Sequence, residues 1–199
     1  MARCMNCGSS RVRAERGQHH YLESGLENIW LGNVRFIVCK ACEERSVEIP
    51  RVNRLHLYIA LRLVRKPTLL CGPEFRFIRK ELGMQAKELA LRLDLHPVTI
   101  SKWENDTEAV SPQADRNLRY MYLSQQFAAV KERLEKSLTP HGKAEVVRAI
   151  KLLTEAVVEV RELVGLKPCK PQKLVVRPDF HRAVPLVVAT EMRRVALRA

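Results

Sequence analysis

Leu82-Gly83-Met84-Gln85-Ala86-Lys87-Glu88-Leu89-Ala90-Leu91-Arg92-Leu93-Asp94-Leu95-His96-Pro97-Val98-Thr99-Ile100-Ser101-Lys102-Trp103-Glu104-Asn105 is the run on which the fold turns. Leu89, Ala90 and Leu93 share one face at helical spacing and predict a short helix from Gln85 to Leu93. The stretch before it, Pro73 to Leu82, carries Phe77, Ile78 and Leu82 at helical steps and stops at Gly83. Asp94-Leu95-His96 interrupts the pattern, and Pro97 suits the first position of a third helix, where its missing N–H costs no hydrogen bond. On that helix Ile100 and Trp103 face inward, and Val98, Thr99, Ser101 and Lys102 face outward. Two short helices, a tight turn, a small Ala90 at the crossing and an outward surface of short polar residues make a helix-turn-helix whose third helix is the reader of DNA.

Upstream, Cys4-Met5-Asn6-Cys7 and Cys39-Lys40-Ala41-Cys42 form two Cys-x-x-Cys knuckles. Each knuckle can turn both sulfurs to one side, and two together close a tetrahedral shell, so Cys4, Cys7, Cys39 and Cys42 are the expected ligands of one structural Zn2+. The gap of 31 residues between Cys7 and Cys39 is longer than the usual ribbon spacing. A disulfide reading suits a secreted chain, and the N-terminal residues show no apolar leader segment. A redox reading would want a βαβ context, and a catalytic zinc would want an open position that four thiolates fill. His19 and His20 could replace a sulfur in principle; in a polar stretch they read as surface residues. Residues 18–24, 29–38 and 45–49 are rich in β-branched and aromatic side chains and predict a small antiparallel sheet with a turn at Gly25 and Asn28. So small a sheet needs its metal, which would supply on the order of 10 kcal/mol of folding free energy.

The net charge of +13 favours a polyanionic partner, and its distribution is uneven. Residues 51–67 hold five basic and no acidic side chains, and residues 166–199 hold eight basic and two acidic, whereas the other segments nearly balance. Between Pro50 and Pro67 the pattern predicts a basic amphipathic connector helix, with Arg51, Arg54, Tyr58, Arg62 and Arg65 on one stripe and Val52, Leu55, Ile59 and Leu63 beside it. That stripe reads either as the solvated face of a packing helix or as a contact for phosphates or a membrane surface. No apolar run reaches transmembrane length, so no membrane role is expected.

The quoted run resembles the Cro/lambda-repressor, or XRE type, helix-turn-helix through Leu82-Gly83, Glu88-Leu89-Ala90, Leu93, Leu95, Pro97 and Thr99 to Asn105. With the double Cys-x-x-Cys segment ahead of it, the order over residues 1–124 is similar to MqsA-type antitoxins and YgiT-type zinc-finger regulators. The resemblance implies a zinc domain, a DNA-binding and dimerising domain, and repression of a promoter; in antitoxin members the zinc domain binds and blocks a toxin. It also implies DNA roles by position: Thr99 and Lys102 meet base edges or phosphates, Lys102 at a guanine being the more specific contact, and Ser101 and Asn105 meet phosphates. Ala86 stands where many members carry a phosphate-binding Gln, Asp94 replaces a turn Gly, and His96 replaces a Ser cap. Val98 is apolar where relatives often carry a polar reader, and it could touch a thymine methyl. Trp103 shares the core face with Ile100, and Glu104 is expected to brace the helix end.

Beyond Ser111-Pro112, Leu123, Phe127, Val130 and Leu134 recur in heptad-like steps, and after Thr139-Pro140 so do Val146, Ile150, Leu153, Val157, Val160 and Val164. They predict a helical hairpin that closes on itself or on a partner chain. Pro168, Pro171, Pro178 and Pro185 interrupt the last stretch, which is expected to be a mobile basic tail with a short helix over Thr190 to Arg198, adding salt-sensitive phosphate contacts. Cys71 and Cys169 are unpaired by spacing and read as incidental.

These readings together predict an α+β protein: a zinc-binding β domain (1–50), a connector helix (51–67), a helix-turn-helix domain (68–124), a helical hairpin for dimerisation (125–165) and a tail (166–199). The expected function is that of a cytoplasmic, homodimeric regulator of transcription, a repressor that binds double-stranded DNA. The alternative is an antitoxin that sequesters a toxin protein and represses its own operon. No catalytic constellation is evident, and an enzyme is not expected.

Overall fold

The computed structural model describes residues 3–136, 140–163 and 166–183. Thr139, Val164, Pro185 and the expected helix over 190–198 lie outside the described residues, as does the side chain of Leu134. The architecture is α+β, with N-terminal strands followed by a helical region. Two compact units are present, one formed by Met1–Val52 and Gln172–Phe180, the other by Asn53–Pro171 and the residues from His181.

The first unit is a sheet built on one long strand. Strand β1 (Val12–His20) pairs antiparallel with β2 (Ile29–Cys39) along nearly the whole of β2, from Val12 opposite Cys39 to His20 opposite Trp30. The pairing slips between Gly17 and His19, where β2 carries the extra residue and Asn33 adopts a positive φ of 55°. The other edge of β2 is shared. Strand β3 (Arg45–Glu48) covers Arg35 to Val38 antiparallel, and β4 (Leu174–Val176) covers Ile29 to Leu31 in parallel. Leu26, Ile29, Leu31, Phe36 and Val176 are buried. Strand β1 starts well before the expected residue 18, because its first half, Val12 to Arg16, is polar and solvated and carries little apolar signal.

Strand β4 corrects the expectation of a mobile tail from residue 166. Leu174-Val175-Val176 is a β-branched run that meets a vacant edge of β2, where the Leu174 N–H donates to the Asn28 carbonyl at 2.9 Å. The Asn28 side chain donates to the Gln172 carbonyl at 2.6 Å, and the Lys173 ammonium lies 4.5 Å from the centre of the Trp30 ring. Nothing in the local pattern of the tail reveals that an edge awaits it.

The second unit opens with α1 (Val52–Val64), the expected connector. Leu57, Ala60, Leu61 and Val64 are buried as well as Leu55, Ile59 and Leu63, so the apolar face is much wider than the predicted stripe and the helix is part of a core. Two basic residues just past its end are engaged within the unit: Arg65 forms a bidentate pair with Glu159, and the Lys66 ammonium sits 2.7 Å from Glu74. Helices α2 (Gly72–Glu81), α3 (Ala86–Arg92) and α4 (Pro97–Glu104) follow, then α5 (Pro112–Lys136) and α6 (Pro140–Arg161), which pack on each other. A last turn, α7 (Phe180–Ala183), closes the described chain.

The loop between α1 and α2 is held by a fully buried cation. Arg119 on α5 donates to the carbonyls of Val64, Lys66 and Thr68 at 2.8, 2.6 and 2.7 Å and pairs with Asp115 at 2.7 Å. Asp115 in turn accepts the Leu70 N–H at 2.8 Å. On α6 the buried seam runs through Val146, Ala149, Leu153, Ala156 and Val160, where Ile150 and Val157 were expected in place of the alanines. Small residues let the two helices approach closely, and Ile150 turns outward with Val147 and Val158.

Cys71 and Cys169, expected to be incidental, are joined in a disulfide across 98 residues. A parallel bridge from Thr68 to Lys167 lays the two segments side by side. Spacing along the chain carries no trace of so distant a partner.

Candidate metal centre and nucleic-acid interface

The four sulfurs of Cys4, Cys7, Cys39 and Cys42 all lie within 4.8 Å of one another. Cys4 to Cys42 and Cys7 to Cys39 are each 3.6 Å apart, close to the roughly 3.8 Å edge of a tetrahedron with metal–sulfur bonds of about 2.3 Å. Such a cluster can hold a metal ion. Local backbone geometry makes the knuckles: Gly8 adopts φ 72° and its N–H donates to the Cys4 carbonyl at 3.0 Å, while Glu43 adopts φ 59° and the Cys39 N–H donates to the Glu44 carbonyl at 2.9 Å. Strand β2 delivers Cys39 as its last residue, and the Lys40 N–H donates to the Arg11 carbonyl just before β1.

The thiols differ in acidity. The backbone N–H groups of Ala41 and then Cys42 favour a Cys39 thiolate and bring it to about 6, with the Ala41 N–H lying 3.3 Å from its sulfur. The Glu44 N–H favours a Cys42 thiolate too, yet the sulfur of Cys7, burial and the sulfurs of Cys4 and Cys39 outweigh it and push Cys42 up to about 12. Four thiolates crowd one another, and a bound cation is what relieves that repulsion. Neither His19 nor His20 joins the cluster: His19 bonds Glu23 at 3.2 Å, and His20 stacks on Trp30 with ring centres 4.4 Å apart.

In the second unit the sequence builds each helix of the α2 to α4 motif. Cys71 caps α2, Gly83 with φ 72° ends the turn after it, and Gln85 with Glu88 forms the capping box of α3. Asp94 takes the left-handed φ of 55° that the expected Gly would have supplied. His96 caps α4, its Nδ1 accepting the Val98 N–H at 3.2 Å. Leu89, Ala90, Ile100 and Trp103 are buried, and Trp103 meets Phe75 edge-on at 5.8 Å.

The outward residues fall as follows. Val98 is 53% exposed, Thr99 is half-buried, and Ser101, Lys102 and Asn105 are exposed on α4 or at its end. Two are engaged within the chain. Lys102 pairs with Glu108 at 2.6 Å, and Asn105 donates to the Ser101 carbonyl at 2.9 Å while accepting from Arg76 at 2.6 Å. Glu104 braces the helix end more firmly than the sequence suggests: buried, it pairs with Arg79 at 2.5 Å and Arg76 at 3.2 Å. Gln85 was passed over; it stands exposed at the start of α3, one residue before Ala86, and the Gln85-x-x-Glu88 capping pattern was the signal that could have found it.

No curated protein and no solved structure matches the chain. The similarity to MqsA-type and YgiT-type proteins therefore rests on the motifs quoted above. Residues 75–114 match the model of the helix-turn-helix family HTH_3, and this part of the chain is a helix-turn-helix domain of the XRE type.

Proposed function

We propose that the protein is a sequence-specific DNA-binding transcriptional regulator, a cytoplasmic repressor that binds as a homodimer and carries one structural zinc. The observation that carries this reading is the outward face of α4, with Val98, Thr99, Ser101 and Lys102 presented on a helix-turn-helix domain. Thr99 and Lys102 read base edges, and Val98 meets a thymine methyl. Ser101 and Asn105 stay near the backbone, Asn105 chiefly as a brace. The Lys102–Glu108 pair is exposed, so a guanine or phosphate can replace Glu108 at little cost.

Zinc suits the first site because four thiolates form its closed tetrahedral shell, and such a shell supports folding and leaves no position for substrate. Purified protein is expected to hold one zinc per chain, and a metal-free first unit that stays folded would contradict this. A second copy would cover Val147, Ile150 and Val158, which line the outer face of α6. Changing Val147 and Val158 to Glu is expected to give a monomer in sedimentation; an unchanged dimer would place the interface elsewhere.

Selection of bound duplexes from a random pool tests the central reading. The expected product is an inverted repeat with half-sites about one helical turn apart. Thr99→Ala with Lys102→Ala should abolish the enrichment, and a footprint unaltered by that double change would rule α4 out as the reader.

A further inference from the structure

The second unit contains a side-chain cluster with no part in DNA reading or in the first metal site. Cys71 is the N-cap of α2, and the disulfide to Cys169 spans Cα atoms 5.2 Å apart. Beside the bonded sulfurs ends the buried side chain of Lys66, its Nζ 4.0 Å from Cys71 Sγ and 3.6 Å from Cys169 Sγ. The same ammonium bonds both oxygens of the buried Glu74 at 3.0 and 2.7 Å, and Glu74 accepts the Cys71 N–H at 3.0 Å. Its place is held from below, because Arg119 grips the carbonyls on either side of it.

The two cysteines are half-exposed, so a small solute can reach the sulfurs. Once reduced, they stand in different fields. Cys71 has the positive end of a ten-residue helix and the Lys66 cation, both of which favour a thiolate and together oppose the Glu74 oxygen that lies within 4.8 Å of its sulfur. Cys169 has the same cation, but a Glu74 oxygen 3.9 Å away opposes its ionisation. Cys71, Glu74 and Cys169 are also close enough to hold a metal, yet the ammonium among them repels one.

We propose that Cys71 and Cys169 form a reversible thiol–disulfide pair that reacts with hydroperoxides, with Cys71 as the attacking thiolate and Cys169 as the resolving thiol. The Cys71 thiolate attacks one peroxide oxygen, the O–O bond breaks, and the leaving alkoxide, or hydroxide from hydrogen peroxide, takes from solvent the proton that the thiol gave up on ionising and departs as alcohol or water. Cys71 becomes a sulfenic acid. Cys169 then attacks that sulfur, the S–S bond forms, the S–O bond breaks, and hydroxide departs as water with the Cys169 proton. Two thiols lose two electrons and two protons, and one hydroperoxide is reduced. A dithiol reductant reverses the bond by exchange and is itself oxidised.

The test uses the full chain, loaded with zinc and reduced by a dithiol, then treated with hydrogen peroxide and mapped by mass spectrometry. The expected products are a Cys71–Cys169 linked peptide before zinc release and, in Cys169→Ser, a dimedone-trapped sulfenic acid on Cys71. In that variant alkylation of Cys71 should follow a thiolate titration below the ordinary range. Adding Lys66→Met with Glu74→Gln should slow it about tenfold near neutral pH. Restoring the cation as Lys66→Arg, with Glu74 kept, should recover the fast rate. Overturning results are a bond that dithiol cannot reduce in the folded chain, absence of trapped sulfenic acid, or oxidation of Cys4, Cys7, Cys39 and Cys42 ahead of the pair. If the charge-removed variant loses its helical circular dichroism, the Cys169→Ser trapping experiment alone decides. None of these readouts depends on DNA binding.

Discussion

Arg119 and Tyr122 occupy neighbouring turns of α5, are equally buried, and are served in opposite ways. Arg119 donates to three carbonyls from its terminal nitrogens and pairs through Nε with Asp115 by charge, without a hydrogen bond from that nitrogen, so Arg119→Met would strand those carbonyls and a buried carboxylate. Losing one member of such a pair costs roughly 3–5 kcal/mol, and chemical denaturation should report a loss of that size. Tyr122 is the reverse case, with no hydrogen-bond partner for its hydroxyl among the described residues. Tyr122→Phe should therefore be neutral or stabilising, by about 1 kcal/mol. Burial, with the Glu81 charge adding to it, raises the Tyr122 phenol well above its usual 10. The neutral phenol thus contributes stability that is complete below pH 10 and lost as pH rises toward the raised value. Alkaline titration should show one late, unfolding-coupled phenol, absent from the Phe variant; early reversible ionisation at Tyr122 would contradict it.

At the scale of elements, α4 is anchored by the first residue of α2. A side-chain carbon on Gly72 would lie 2.3 Å from the Trp103 carbonyl oxygen, and the Gly72 N–H donates to Asp106 at 2.6 Å just beyond α4. Gly72→Ala must push α2 and α4 apart, which should cost about 1–3 kcal/mol and loosen α4. Faster amide exchange across α4 checks this; unchanged protection would mean the contact relaxes freely. Helices α2 to α4 were legible because capping residues, a proline at a helix start and apolar steps all operate within a few residues of one another. Glu104 was legible only as a brace, since its partners Arg76 and Arg79 stand a whole motif away. On α6 the heptad pattern favoured the larger Ile150 over Ala149, although close helix packing prefers the smaller side chain.

Across the whole molecule, what escaped the sequence is what distant segments do for each other. The four-thiol cluster was readable because each knuckle is a local turn. The disulfide and β4 were not, since each joins residues about a hundred or more positions apart. Deleting residues 166–199 consequently removes more than basic charge: it takes away Cys169 and the strand on Ile29 to Leu31. Such a deletion should reduce the salt dependence of DNA binding and also speed amide exchange in β2 between Ile29 and Leu31. Unaltered protection there would show that β4 adds nothing to the sheet.

Strand β4 also sets an order of events during synthesis. At about 5–20 residues per second, the roughly 120 residues between Val52 and Leu174 take on the order of 6–25 s to emerge from a ribosome. Throughout that interval the nascent sheet can gather a metal ion at the knuckles while one end of β2 stays open to strands of neighbouring chains. Crowded translation when metal is scarce is thus the condition under which this protein should most readily aggregate.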